Sequence, residues 1–151
     1  MSELPLDELI AHRPPMLLLD RVISVSDSEA VAELTVRREN PLFVVGRGVP
    51  AYVGLELMAQ TIALIDGARC KRTGLPPRIG FLLGCRRYSA NCAEFALGAR
   101  LVCIVQMVFS GGDMYSFEGR IEDGEGHALA TAILTVYAPR NPQAFLKDGT
   151  V

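Results

Sequence analysis

The segment from residue 51 to about residue 69 constrains this fold more than any other, because apolar side chains cover nearly every side of a helix built from it. Those side chains belong to Val53, Leu55, Leu57, Met58, Ile62, Leu64, Ile65 and Ala68. Only Tyr52, Glu56 and Gln60, spaced four residues apart, make a narrow polar stripe. A helix that is apolar almost all round has to be buried all round. The rest of the chain is therefore predicted to wrap around it.

A short leading helix and a β-hairpin are predicted ahead of this central helix. The leading helix is assigned to residues 4–12, and the hairpin strands to residues 16–24 and 30–38. Pro14 and Pro15 stop the leading helix, because proline cannot continue a helical hydrogen-bond pattern. Asp27 and Ser28 are turn formers between two stretches rich in β-branched residues and leucine.

Glycine-containing turns divide the remainder of the chain. Residues 41–50, which include Gly46 and Gly48, are predicted to form a loop before the central helix. After that helix, four strands are assigned to residues 79–89, 100–109, 115–122 and 128–137. This order of elements predicts an α+β fold in which a curved antiparallel sheet wraps around a long central helix. A chain of 151 residues has room for one such domain, predicted over 1–151.

Composition excludes several classes of function. The formal net charge is −2, so there is no global positive field to hold a nucleic-acid backbone. The N-terminus is acidic and polar residues interrupt the longest apolar stretches, which argues against export or membrane spanning and predicts a cytoplasmic protein. The four cysteines match no zinc-binding spacing and are predicted to be reduced and buried. Half of the residues are hydrophobic, which favours a homo-oligomer.

Two motifs resemble a known family. Residues 12–21 read His-Arg-Pro-Pro-Met-Leu-Leu-Leu-Asp-Arg, which closely resembles the opening signature of the 3-hydroxyacyl-acyl-carrier-protein dehydratases. Residues 54–60 read Gly-Leu-Glu-Leu-Met-Ala-Gln and are similar to that family's helix motif, with Glu56 at the functional acidic position. The resemblance implies a hotdog fold, a dimer and acyl tunnels at its interface. Residues 40–56 look closest to the ApeP-like group, predicted dehydratases encoded with aryl-polyene synthesis genes.

The chain departs from this family at the usual base. The related dehydratases carry a catalytic histidine before the helix, but residues 40–56 contain none. The two histidines of the chain are His12 and His127. His127 lies in a predicted turn between strands and is expected to be solvated. His12 is therefore the one plausible imidazole base, and a structural hydrogen-bonding role is its alternative.

Dehydration of a 3-hydroxyacyl thioester needs a base, an acid and donors for the thioester oxygen. Glu56 is predicted to be the acid, with a structural carboxylate as the alternative. Gln60, one turn on, either orients Glu56 or simply satisfies it. The other predicted substrate-binding residues are Gly46, Arg47, Gly48 and Tyr52. Backbone amides of the two glycines and of the helix start suit the thioester oxygen, and Arg47 suits a phosphate or another anion.

An acyl carrier protein is the expected partner, and its phosphopantetheine arm is expected to carry the substrate. No other cofactor and no metal are predicted. A basic cluster suits that acidic protein, and a solvated face explains the cluster equally well. Its members are Arg69, Lys71, Arg72, Arg78, Arg86 and Arg87. The leading prediction is a 3-hydroxyacyl-thioester dehydratase of fatty-acid or aryl-polyene synthesis, working as a homodimer or heterodimer. The alternatives are a non-catalytic hotdog subunit that pairs with a competent dehydratase, and a hotdog acyl thioesterase.

Overall fold

A long helix and its surrounding strands are described by a computed structural model that covers residues 5–75 and 80–139. In chain order the elements are α1 (Leu6–Leu9), β1 (Arg21–Val25), β2 (Glu29–Thr35), β3 (Val49–Pro50), a 3-10 turn (Ala51–Val53), α2 (Gly54–Thr73), β4 (Phe81–Ala90), β5 (Glu94–Phe95), β6 (Arg100–Gly111), β7 (Met114–Glu122) and β8 (Ala128–Tyr137).

The larger sheet is antiparallel and runs in the order β1-β2-β6-β7-β8-β4. Register shifts in β1, β4 and β6 mark bulges, where a strand bends and twists more strongly. The sheet packs against α2 chiefly through β2, β6 and β7. A long helix covered by one antiparallel sheet confirms the predicted α+β class.

The sheet side of α2 is deeply buried. Leu57, Met58 and Leu64 are at most 1% exposed. Met58 packs against β7 at Gly119, where a Cβ atom would come within 2.6 Å of the Met58 sulfur. Burial of each such side chain contributes about 1.5–3 kcal/mol to the stability of the fold. The predicted burial of the central helix is therefore confirmed on the side that faces the sheet.

Both helices differ from their predicted bounds. α1 ends at Leu9 instead of residue 12, because the chain is extended at Ile10 and the Arg13 side chain takes the Ile10 carbonyl. α2 continues to Thr73, four residues beyond its predicted end. Gly74 then ends the helix with a φ of +73°, a left-handed conformation in which its amide bonds back to the last turn.

The first hairpin is shorter than predicted. β1 begins at Arg21 instead of residue 16, because the backbone of Met16 and Leu18 bonds to the side chain of Gln60 instead of to a strand. β2 ends at Thr35 instead of residue 38. The antiparallel pairing of β1 with β2 is as predicted.

The strands after α2 lie close to their predicted positions. β8 has the predicted bounds, and β6 and β7 differ from theirs by at most two residues. The predicted start of β4, residue 79, lies outside the described residues. The short ladder between β3 and β5 was not predicted. It depends on Gly48, whose φ is +116° and whose Cβ would come within 2.4 Å of the Phe95 carbonyl oxygen.

The four cysteines are free thiols, and Cys103 is buried while the other three are half-buried. The predicted burial is thus confirmed for Cys103, whose thiol pKa is raised to about 12 by burial. Within residues 5–75 and 80–139, no group of three or more His, Cys, Asp or Glu side chains is arranged to hold a metal ion. The helices described here are too short or too polar to cross a membrane.

Candidate functional site

The two predicted catalytic side chains meet at the start of α2. His12 arrives from the turn that follows α1, and Glu56 lies in the first turn of α2. His12 Nε2 and Glu56 Oε1 are 3.7 Å apart. The two side chains are 38% and 41% exposed, respectively. An imidazole and a carboxyl group are therefore adjacent and open to a ligand.

Gln60 connects this pair to the core. Its Nε2 atom donates to Glu56 Oε1 at 3.0 Å and to the Met16 carbonyl at 2.8 Å, while its Oε1 atom accepts from the Leu18 amide at 3.0 Å. The residue is fully buried. Both amide protons are used, so Gln60 has no free donor and fixes Glu56 relative to the chain that enters β1.

A cavity of about 730 Å³ lies beside His12 and runs along α2. Its apolar lining includes Ile10, Ala59, Ile62, Ala63, Met107 and Phe117. Polar groups, among them Asp27 and Arg72, line it farther along the helix. At 1.5 Å of rise per residue, the helical lining from Ala59 to Arg72 is about 20 Å long. A long, mainly apolar cavity that is lined at one end by His12, 3.7 Å from Glu56, suits an extended hydrocarbon chain with a polar end.

His12 carries an unusual nitrogen. Among the described residues, its Nδ1 atom is a buried side-chain polar atom without a hydrogen-bond partner. Buried polar atoms in native proteins are bonded in the large majority of cases, and exceptions concentrate where a site waits for a ligand or serves catalysis. The ring therefore has one nitrogen directed at Glu56 and a second nitrogen without a bond inside the fold.

Tyr88 fixes the start of α2 from β4, a role that sequence reasoning missed. Its hydroxyl donates to the carbonyl of Ala51, and burial raises its pKa to about 12. A Cβ atom on Gly54 would lie 2.2 Å from that hydroxyl oxygen, so the glycine makes room for it. Arg87, with a φ of +55°, sits in the bulge that precedes Tyr88. No local signal marks Tyr88, because its contact depends on this bulge.

The glycine loop, residues 46–48, lies apart from the predicted catalytic pair, His12 and Glu56. It lines a second cavity of about 480 Å³ that shares no lining residue with the first. Arg47 forms an ion pair with Glu94 at 2.8 Å, and the Gly48 amide is bonded to a loop carbonyl at 2.9 Å. Tyr52 is largely exposed just before α2. The structure thus joins the predicted catalytic pair with Gln60 but not with the loop.

The second histidine lies on the surface, as predicted. His127 is 71% exposed in the turn between β7 and β8. Its Nδ1 atom is 3.2 Å from Asp123 Oδ2 and 3.7 Å from Glu125 Oε2. The His127 amide and, to a smaller extent, the Glu125 amide donate to Asp123 and lower its carboxyl pKa.

Three of the five described members of the predicted basic cluster are already paired. Its ion pairs are Arg69 with Asp66, Lys71 with Glu8 and Arg72 with Asp27. Arg86 and Arg87 on β4 are exposed and have no ion pair with a described residue. Arg78 lies outside the described residues. The free cations of the described cluster are therefore on β4, not at the end of α2.

β4 is one of the two edge strands of the sheet, at the end opposite to β1. It bonds to β8 on one side only, and none of residues 82–90 is buried. Leu82 and Leu83 are 43% and 50% exposed and lie at a bulge, where the register shifts between Leu82 and Gly84. An open edge with exposed apolar side chains is a typical place for another chain to bind.

Comparison with protein families places the chain clearly. The family model for ApeP-like proteins, described as ApeP dehydratase, matches residues 4–147. The 3-hydroxyacyl-[acyl-carrier-protein] dehydratase FabZ of Streptococcus mutans is 29% identical over 135 residues, which cover 85% of this chain and 91% of that protein.

Solved structures agree with this placement. A chain of the dehydratase heterocomplex ApeI:P from Xenorhabdus doucetiae is 30% identical, with a TM-score of 0.86, and the match covers 96% of this chain and 97% of that chain. A hypothetical thioesterase protein with coenzyme A from Streptococcus pneumoniae is 15% identical, with a TM-score of 0.63 over 78% of this chain and 84% of that chain. The first match confirms the predicted hotdog fold, and the second is similar in fold alone.

Proposed function

This chain belongs to the ApeP-like dehydratase family, and from that premise we propose that it removes water from a 3-hydroxyacyl thioester carried by an acyl carrier protein. A dehydratase-like function in fatty-acid or aryl-polyene synthesis agrees with the family and with both dehydratase relatives. The observation that carries the proposal is the 3.7 Å separation of His12 and Glu56 beside a mainly apolar cavity.

The proposed reaction uses one base and one acid. The His12 imidazole takes the proton from the carbon next to the thioester carbonyl. The carbon–oxygen bond to the 3-hydroxyl group then breaks, and that oxygen takes a proton from the Glu56 carboxyl group. The products are a 2-enoyl thioester and one water molecule. A proton returned from the imidazolium to the Glu56 carboxylate, which lie 3.7 Å apart, restores the starting state.

The cavity supports a thioester with a long acyl chain. Its apolar lining along α2 removes hydrocarbon from water, at about 0.8 kcal/mol for each buried methylene group. We propose that the chain arrives on the phosphopantetheine arm of an acyl carrier protein, with no other cofactor. Within the described part of the basic cluster, Arg86 and Arg87 are then available to that acidic partner. Such a substrate also implies a cytoplasmic location.

Intact-mass analysis of a 3-hydroxyacyl-loaded carrier protein tests the proposal. The purified chain is expected to convert it to a species lighter by one water, and Glu56→Ala and His12→Ala are each expected to abolish the conversion. His127→Ala is the matched control and is expected to leave it unchanged. No mass change with any substrate would overturn the dehydratase. Release of the free acid would instead identify a thioesterase.

A second candidate function is that of a non-catalytic subunit paired with a competent dehydratase. The exposed edge strand β4 favours it, together with the heterocomplex to which a similar chain belongs. Under this reading, a second hotdog subunit pairs with β4 and supplies the base. Light scattering separates a monomer or homodimer from a species that forms only with the second subunit. Water loss that requires the second subunit and survives His12→Ala would favour this candidate.

A further inference from the structure

One side chain, Arg13, holds the turn that presents His12. Its Nη1 atom donates to the Ile10 carbonyl at 2.8 Å and to the His12 carbonyl at 2.9 Å, and its Nη2 atom donates to the Asp7 carbonyl at 3.0 Å. The guanidinium group therefore binds three carbonyls, one in α1 and two in the segment that follows it. A planar group with five fixed donors suits this arrangement, whereas an ammonium group is a compact point charge.

The opposite side of the same segment packs directly against α2. A Cβ atom on Gly67 would lie 1.8 Å from the Leu9 carbonyl oxygen, so α1 and α2 touch through backbone at this position. Lys71 on α2 forms an ion pair with Glu8 on α1. Leu9 and Ile10 are buried. The segment is therefore fixed against the helix, and Arg13 determines the course of the chain that follows.

This course decides where the imidazole lies. Ile10, Ala11 and His12 line the cavity beside α2. His12 Nε2 then lies 3.7 Å from Glu56, although no hydrogen bond to a described residue holds the ring itself. The position of the ring thus depends on the backbone that carries it, and the Arg13 side chain bonds to that backbone on both sides of Ala11.

We propose that Arg13 is a positioning residue for His12, which it holds beside Glu56 by binding the carbonyls of Asp7, Ile10 and His12. The catalytic consequence rests on the function proposed above, but the geometric claim stands without it. Loss of the guanidinium group releases the turn, and the imidazole moves away from Glu56 while the sheet and α2 remain folded.

The two histidines of the chain make a direct test by NMR spectroscopy. The imidazole Cε1–Hε1 signals of His12 and His127 are recorded in the unmodified protein and in Glu56→Gln. Replacement of the carboxyl group is expected to shift the His12 signal, because a polar group 3.7 Å away affects the electric field at the ring. His127 lies in an exposed turn and does not line the cavity, so its signal is the internal reference. The same pair of spectra is then recorded in an Arg13→Gln background.

In Arg13→Gln, the response of the His12 signal to Glu56→Gln is expected to be lost, while the His127 signal stays at its folded position. Arg13→Lys is expected to give an intermediate response. Arg21→Gln is the matched control, because Arg21 binds Glu33 on the neighbouring strand and does not contact this turn. An unchanged His12 response in Arg13→Gln overturns the proposal. If Arg13→Gln does not fold, Arg13→Lys decides by the same criterion.

Kinetics add a readout that a purely structural role would not produce. Arg13→Gln is expected to lower kcat by about 10²-fold with little change in KM, because a displaced base affects the transition state more than binding. An equal loss through KM alone would contradict positioning. If the unmodified protein removes no water, the proposed function fails, and the NMR comparison still decides whether Arg13 positions His12.

Discussion

The turn that carries His12 and the turn that carries His127 present similar groups in different surroundings. Both imidazoles lie near carboxylate oxygens, at 3.7 Å from Glu56 and at 3.2 Å from Asp123. His127 and Asp123 are four residues apart in one exposed hairpin turn. His12 and Glu56 come from distant parts of the chain and meet beside a cavity.

The difference teaches that a histidine next to a carboxylate does not by itself make a site. The contact of His127 follows from local turn chemistry, since Asp123 Oδ1 accepts the amides of Glu125 and His127. The contact of His12 with Glu56 depends on the buried Gln60 and on the backbone contact between α1 and Gly67. Changes around His12 should therefore spread to activity and stability, and changes around His127 should stay local.

The largest expected difference is in the catalytic efficiency, kcat/KM. His12→Ala is expected to lower kcat/KM by about 10²–10⁴-fold, the usual contribution of a positioned general base. His127→Ala is expected to leave it unchanged, because that ring lies on the surface away from the cavity. Enoyl-thioester formation under substrate-limited conditions measures both. Equal losses in the two variants would break the comparison.

Stability separates Gln60 from an exposed glutamine. Gln60→Leu leaves the Leu18 amide and the Met16 carbonyl without their partner, so the free energy of unfolding is expected to fall by about 2–4 kcal/mol. Gln106→Leu, on the exposed side of β6, is the control and is expected to change it little. Urea titration followed by circular dichroism measures both. A loss below that of Gln106→Leu would show that Gln60 is not an anchor.

Two glycines, one near each turn, sharpen the contrast. Gly67→Ala forces a Cβ atom against the Leu9 carbonyl and is expected to cost about 1–3 kcal/mol of stability, more than the roughly 1 kcal/mol gained in helix propensity. Because α1 is displaced, activity should fall too. Gly126→Ala meets open space but has a φ of +88°, and is expected to cost about 1 kcal/mol with no loss of activity. Thermal unfolding and turnover assays measure both. Full activity in Gly67→Ala would argue against a role of the Gly67–Leu9 contact in positioning α1.

The smallest expected effect concerns the pH dependence of the His127 turn. The Asp123 carboxyl pKa is lower in the folded chain, chiefly because the His127 amide donates to it. The native state then binds fewer protons than the unfolded state, so this stabilisation is present above the ordinary aspartate pKa and is lost as the pH falls through the folded value. Asp123→Asn is expected to reduce the drop in Tm between neutral and acidic pH slightly. An identical drop in both proteins would contradict this.

Local patterns predicted the elements best where one face of the sheet or helix is strongly apolar. β8 has its predicted bounds because alternation, not a distant contact, defines it. The predicted start of the first strand was wrong, because the backbone of Met16 and Leu18 bonds to the buried Gln60 side chain instead of to a neighbouring strand. α1 was too long in prediction because Arg13 competes for its last carbonyls. In both cases a side chain outside the element determined where it begins or ends.

The sequence by itself determined the buried central helix, the antiparallel strands and the two motifs that resemble the dehydratases, because these follow from side-chain periodicity and from residues close together in the chain. It also named His12 and Glu56 as candidates, whose roles stay predictions. Only the tertiary structure decided that these two meet, that Tyr88 fits against Gly54, and that the glycine loop lies elsewhere. The physical reason is that periodicity describes one element at a time, whereas a site depends on backbone approaches between elements, and those are set by packing.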